Sequence, residues 1–268
     1  MKHHQEALEK GDIFRLPVSE AHPTQCSVGM LAVEGKKREI EKVFQEGADA
    51  LHAYLCKQRH LVPVVIGPEG IAYLTDYHHL STAVWRADIP ASAKAVYAYV
   101  IHVWSDLERD EFWSRMIENN LTWLYDDKGE GPIHPALIPD RIERMLNDPF
   151  RTLSKWIREC GCYRKNPTDA GHKHLCEEKT YFPESKNEAF FIEFRWANFL
   201  RQNITLNTRA DFSRMCAAMP YSPAYLQHES KALREAFAEV VKLIGCHQLA
   251  DARFDHDGFP SFSAIESA

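Results

Sequence analysis

Hydrophobic positions along this chain change period several times, and each change marks an element. Phe14 to Val18 reads as a short edge strand, where Pro17 is tolerated because no ladder N–H is needed there. A polar loop, Pro23-Thr24-Gln25, follows. Ile40, Val43, Phe44, Ala48, Leu51, Tyr54 and Leu55 then recur at helical spacing and predict a helix running roughly from Lys36 to Arg59. Leu61-Val62-Pro63-Val64-Val65-Ile66 is strand-like and ends in Gly67-Pro68-Glu69-Gly70, a turn signal. A second short apolar segment runs from Ile71 to Leu74. Leu80, Ala83, Val84 and Ala87 return to helical spacing until Pro90 stops it. Lys94 to Trp104 is rich in β-branched and aromatic residues and reads as a strand.

Beyond Ser105 helical spacing dominates. Phe112, Trp113, Met116 and Ile117 form one apolar face, and Ile142, Met145 and Leu146 another. Leu153, Trp156 and Ile157 continue the pattern. The cleanest stripe is Leu233, Ala236, Phe237, Val240, Val241 and Ile244, closed by Gly245 as a candidate C-cap. The expected fold is α+β: a mixed sheet with helices over residues 1–105, then a mainly helical extension over 106–268 packed on it. Nothing linker-like marks the seam near Ser105-Asp106, and no internal repeat is visible.

Composition narrows the function classes. The 268 residues include ample apolar material for a core, at 45% hydrophobic and 26% charged. No apolar run approaches the ~20 residues that span a bilayer. The N-terminus lacks an apolar signal core, and seven scattered cysteines favour reduced thiols, so a cytoplasmic location is expected. A net charge of −6 argues against a non-specific DNA binder, because neutralising phosphates supplies most of that affinity. Residues 106–268 also carry no basic helix-turn-helix face.

The candidate chemistry gathers at Asp76-Tyr77-His78-His79, between the strand ending at Leu74 and the helix that follows. Strand, polar turn and helix start aim backbone N–H groups and the positive helix end at an anion. Imidazoles add proton transfer near neutral pH, or positive charge against a phosphoryl oxygen. Ser81 and Thr82 could add hydroxyl donors from the first helical turn. The blander alternative is a solvated helix start.

Asp76-Tyr77-His78-His79 resembles the Asp-Gly-His-His-Arg box of the ParB/sulfiredoxin superfamily, with Tyr77 at the Gly position and Leu80 at the Arg position. Four further segments resemble the branch called putative ParB-like nucleases. They are Pro23-Thr24-Gln25 with Val28-Gly29, Asp148-Pro149-Phe150-Arg151, Gly161-Cys162-Tyr163, and Glu193 to Arg201. The resemblance implies a ParB/sulfiredoxin-like mixed sheet and a box that binds nucleotide phosphates, with Asp76, His78 and His79 as its catalytic residues. Relatives phosphorylate sulfinates, phosphorylate free serine or hydrolyse CTP. In the serine-kinase relatives a Glu near the Pro-Thr-Gln loop is the base. Gln25 occupies that region here, which leaves the role to Glu34 or a histidine, or implies chemistry other than hydroxyl phosphorylation.

The expectation is therefore an enzyme acting at a phosphate bond of ATP or another nucleotide with Mg2+, on a small-molecule substrate, with nucleic acid an unlikely partner. Thr24, Gln25, Lys36, Tyr77, Ser81 and Thr82 would line the phosphates, Lys36 coming from the basic run Lys36-Lys37-Arg38 and Arg86 standing in for the missing Arg. Arg151, Glu193 and Trp196 would form either a cleft for the second substrate or an internal docking network. No metal ligand set is assigned: Cys160, Cys162, His172, His174 and Cys176 are spaced too tightly for zinc and read as part of a loop. The alternatives are a ParB-like nuclease or DNA-partition module, and a scaffold that has lost the chemistry.

Overall fold

A computed structural model describes residues 8–159 and 191–203. Their helices and strands fall into two compact units. The first holds residues 8–28 and 36–147, and the second holds 29–35, 148–159 and 191–203. The seam expected near Ser105 therefore falls inside the first unit.

The first unit is built on a five-stranded mixed sheet. Its strands are β1 (Ile13–Pro17), β2 (Ala21–Pro23), β4 (Val62–Ile66), β5 (Ala72–Leu74) and β6 (Ala95–Val103), in the order β1-β6-β4-β5-β2. β1 pairs antiparallel with β6, with Phe14 opposite Ala98. β6 and β4 are parallel, β4 and β5 antiparallel, and β5 and β2 parallel. All five residues of β4 are buried, as a continuous apolar run requires at the centre of a sheet covered on both faces. β1 lies at the edge, where Pro17 costs no ladder bond. A second, two-stranded sheet joins β3 (Ser27–Val28) to β7 (Leu146–Asn147) in parallel.

Helices cover the sheet with the faces their apolar spacing dictates. α3 (His78–Arg86) buries Leu80, Ala83 and Val84 against β6 and the 3-10 turn at Ile142–Arg144. α4 (Arg109–Glu118) buries Phe112 and Met116, while Ile117 is largely exposed. Gly67 at the end of β4 must lack a side chain, because a Cβ there would sit 2.7 Å from both the Phe112 and Tyr73 rings.

Two sequence expectations are corrected. The helix predicted from Lys36 to Arg59 is two helices, α1 (Met30–Gln45) and α2 (Ala48–Leu55). Gly47 separates them at φ 117°, a conformation a residue with a Cβ would resist. Ile142, Met145 and Leu146 do not share a helix. Ile142 lies in a 3-10 turn, and Leu146 enters β7, where its N–H bonds the Cys26 carbonyl at 2.9 Å. Pairing with β3 satisfies the backbone of Leu146 and Asn147 in place of helix bonds.

The second unit pairs α5 (Pro149–Glu159) with α6 (Ile192–Asn203) and buries Leu153, Trp196, Ala197 and Leu200. Gly29, just before α1, packs so closely here that a Cβ would lie 2.4 Å from Thr152 Oγ1 and 2.8 Å from its backbone nitrogen. The Trp156 and Ile157 side chains, the loop from Cys160 to Lys186, the stripe from Leu233 to Ile244 and all that follows lie outside the described residues.

Candidate phosphate site

Because β2 and β5 run parallel, the Thr24-Gln25 loop and the histidine turn leave the sheet at the same end. Thr75 closes β5 with its N–H on the Pro63 carbonyl at 3.0 Å. Asp76 Oδ1 then accepts the Tyr77 N–H at 2.6 Å, and Tyr77 turns into the left-handed region at φ 63°, ψ 23°. A Gly fits that conformation without strain, which accounts for Gly at this place in the general box. Tyr77 bears a cost of roughly 1–2 kcal/mol. Its hydroxyl donates to the Arg59 carbonyl at 2.9 Å, which offsets part of that cost.

α3 begins at once after this residue, and the Tyr77 side chain supplies no cap. Helix geometry aims the first-turn N–H groups out of the helix start. The two histidines there differ sharply. His78 is 2% exposed, and its Nε2 accepts the Thr24 N–H at 3.2 Å. That bond fixes the neutral ring with its proton on Nδ1. His79 is half-buried and reaches the surface. His78 thus pins the loop to the helix start, and His79 is the imidazole that solvent and a ligand can meet.

Hydroxyl groups complete the turn. Thr24 Oγ1 donates to the Leu74 carbonyl at 2.6 Å, while the Thr24 carbonyl accepts from Thr122 Oγ1 at 2.8 Å and the Trp123 N–H at 2.9 Å. Gln25 is buried, with its amide on the Ser27 carbonyl at 2.7 Å. Thr82 Oγ1 bonds the His78 carbonyl one turn back at 2.7 Å, so its proton is used within the helix. Ser81 Oγ is fully buried and has no hydrogen-bond partner among the described residues. An orphaned hydroxyl beside a helix start is costly unless something else engages it.

A cluster not singled out from the sequence lies on the residues that lead into β4. His60 is buried and donates from Nδ1 to the Tyr54 carbonyl at 2.7 Å, with the two rings 4.3 Å apart. Burial holds its pKa below the ordinary histidine value. The Tyr54 hydroxyl lies against the Glu39 carboxylate, off the geometry of a full hydrogen bond. Lys36 pairs with Glu39 at 3.2 Å. Burial pushes Glu39 up, but Lys36 and the Tyr54 hydroxyl outweigh it and hold the carboxylate below its usual range. Since Tyr77 reaches Arg59, this cluster adjoins the turn through one residue of chain. Local sequence gave no signal, because Glu39, Tyr54 and His60 lie on three separate elements.

The remaining candidates sit elsewhere. Arg86 is exposed in the last turn of α3. Glu34 lies in α1 among residues of the second unit. Arg151, Glu193 and Trp196 are all buried there: Arg151 Nη2 pairs with Glu193 Oε2, and the guanidinium lies 5.1 Å over the Phe194 ring. Arg151 Nε and Nη1 have no acceptor among the described residues, and the aromatic face compensates part of that loss. Asp148 accepts Arg201 Nη2 at 2.7 Å and caps α5 through the Phe150 and Arg151 N–H groups. Among the described residues no cluster of three or more His, Cys, Asp or Glu could hold a metal ion, and no helix is long and apolar enough to cross a membrane.

The mixed sheet and the turn at the shared end of β2 and β5 define an α+β protein whose histidine box opens a helix. The family model described as "Putative ParB-like nuclease" matches residues 14–175, which takes in the sheet from Phe14 onward and the turn. The chain belongs to that family, as the resemblance in its motifs implied. Among solved structures it is similar to the crystal structure of protein Atu1540 from Agrobacterium tumefaciens, with 28% identity and a TM-score of 0.59, over 90% of this chain and 94% of that one. Among curated proteins none matches.

Proposed function

We propose that the turn from Asp76 to His79 binds a phosphate group, and that the chain cleaves phosphodiester bonds as a ParB-like nuclease. The observation that carries this reading is the left-handed Tyr77 delivering the chain directly into α3, with a half-buried imidazole at the helix start and a buried Ser81 hydroxyl in its first turn that has no partner among the described residues. The family match favours a nuclease over phosphoryl transfer to a small molecule. In this reading His79 removes a proton from the attacking water as its oxygen bonds phosphorus, while the P–O bond to the leaving sugar oxygen breaks and that oxygen takes a proton from solvent water. First-turn N–H groups stabilise charge on the non-bridging oxygens. His78 is a positioning residue, holding the Thr24-Gln25 loop against the helix start.

The donor set does not fit a metal held by protein ligands alone. It fits a Mg2+ that arrives on phosphate oxygens and takes one carboxylate, Asp76, the common pattern for that ion. Bound so, the ion would neutralise charge on the phosphate.

A second reading, nucleotide-dependent phosphoryl transfer or hydrolysis, is supported by the net charge of −6, which opposes tight binding of a polyanion. One panel separates the two. Single-stranded and duplex DNA and RNA, ATP and CTP are each incubated with the protein and Mg2+ or Mn2+, in wild-type and His79→Ala forms. Nucleic-acid cleavage lost in His79→Ala supports the nuclease. Turnover of nucleotide alone supports phosphoryl transfer, and no turnover or binding of any phosphate supports a scaffold.

A further inference from the structure

Tyr77 ties the histidine turn to a second part of the sheet, through a bond the chemistry at His79 does not use. Its hydroxyl donates to the Arg59 carbonyl at 2.9 Å. That carbonyl belongs to a 3-10 turn, Gln58–His60, which leads into the central strand β4. The 3-10 turn is itself anchored twice. The His60 N–H donates to the Lys57 carbonyl at 2.7 Å, and the buried His60 ring donates from Nδ1 to the Tyr54 carbonyl at 2.7 Å. Arg59 therefore offers a fixed acceptor. On the next residue, the His78 ring takes the Thr24 N–H. Adjacent residues of the histidine turn are thus moored to two separate segments, residues 58–60 and the Thr24-Gln25 loop.

The mooring at Tyr77 acts on a backbone that would otherwise relax. At φ 63° a residue with a Cβ is disfavoured, yet this conformation sets the direction in which α3 departs. The Tyr77 carbonyl accepts the first helical bond, from the Ser81 N–H at 3.0 Å. The N–H groups of His78, His79 and Leu80 precede that bond, where helix geometry aims them out of the helix start. We propose that the Tyr77–Arg59 hydrogen bond preorganises the turn for its anion, with Tyr77 as a positioning residue that holds these N–H groups in place before phosphate arrives. The inference rests on the phosphate reading of the turn and adds how the site is kept ready. A conformation already populated in the ligand-free protein does not have to be selected from others at the moment of binding.

The test titrates inorganic phosphate into the full-length protein by calorimetry. In the phosphate-free protein it also follows deuterium uptake by peptides covering residues 76–84, by mass spectrometry. Tyr77→Phe keeps the ring and removes only the hydroxyl bond. Its phosphate affinity should fall about three- to tenfold and its uptake should quicken, while the melting temperature stays within about 4 °C of wild type. Tyr77→Gly loses the bond but also the backbone strain, so its affinity should lie between the other two. A ring that touched the ligand would reverse that order and make Tyr77→Gly the weakest binder. A hydroxyl that touched the ligand would lower affinity without changing uptake in the phosphate-free protein. Either result, or a Tyr77→Phe protein that matches wild type in affinity and uptake, would overturn the proposal and leave the phosphate reading standing. A folded wild type that binds no phosphate would overturn both.

Discussion

Replacing the two adjacent histidines with Ala should give opposite outcomes for folding and for chemistry. At His78 the ring is 2% exposed and its Nε2 takes the Thr24 N–H. His78→Ala leaves that donor buried without an acceptor, at a cost of about 1–3 kcal/mol. The void left by the ring adds about 1 kcal/mol more. The sum is roughly 2–4 kcal/mol, and at about 2–4 °C per kcal/mol for a chain of this size the melting temperature should fall by about 5–15 °C. His78→Gln can present an amide oxygen to the Thr24 N–H and should recover part of the loss. His79→Ala, at a half-exposed position, should stay within about 1 kcal/mol of wild type. Its turnover of whichever phosphate substrate the protein takes should nevertheless fall roughly 10²-fold, the usual loss for a general acid or base. Thermal scans and single-substrate kinetics on the three variants decide the matter. A His78→Ala protein that melts within 2 °C of wild type, or a His79→Ala protein that loses stability in step with activity, would refute the assignment of pin and reactive imidazole.

Three further outcomes follow from the packing. Ser81→Ala removes a buried hydroxyl with no partner among the described residues, so it should leave stability unchanged or raise it by up to ~1 kcal/mol, while weakening phosphate binding in a titration; a clear loss of stability would mean the hydroxyl is engaged. His60 has a folded pKa below the ordinary 6.5, so the unfolded chain binds the extra proton first. Its contribution to stability is complete above about pH 6.5 and declines as pH falls below that value. Denaturant midpoints between pH 7 and 5 should therefore fall less steeply in His60→Gln than in wild type, and an identical slope would contradict the burial argument. Gly29→Ala forces a Cβ onto the Thr152 backbone and should cost about 1–3 kcal/mol in chemical denaturation. A neutral effect would show that the Gly29–Thr152 approach relaxes freely.

The sequence determined on its own those features that depend on near neighbours. β-branched runs placed β4 and β6 to within a residue or two, and Pro17 belonged at an edge before any sheet was drawn. The motif from Asp76 to His79, with four ordered companions, carried the family, which the match over residues 14–175 bears out. Apolar spacing placed α3 as well, because Leu80, Ala83 and Val84 fall on one helical face and that face is buried.

What only the tertiary structure decided concerns groups that meet from distant parts of the chain. His78 and His79 are equivalent as letters, and both looked like surface residues of a helix start. The parallel pairing of β2 with β5 brings Thr24 beside one of them, burying it and fixing its tautomer, and leaves the other to solvent. The same holds for Ile142 to Leu146, whose spacing suited a helix until β3 offered a distant pairing partner, Ser27 opposite Leu146. Glu39, Tyr54 and His60 gain their chemistry from contacts across elements. Periodicity records which face of an element is apolar. Which polar group ends up against it, and at what pKa, is set by packing between elements, and no local pattern encodes that.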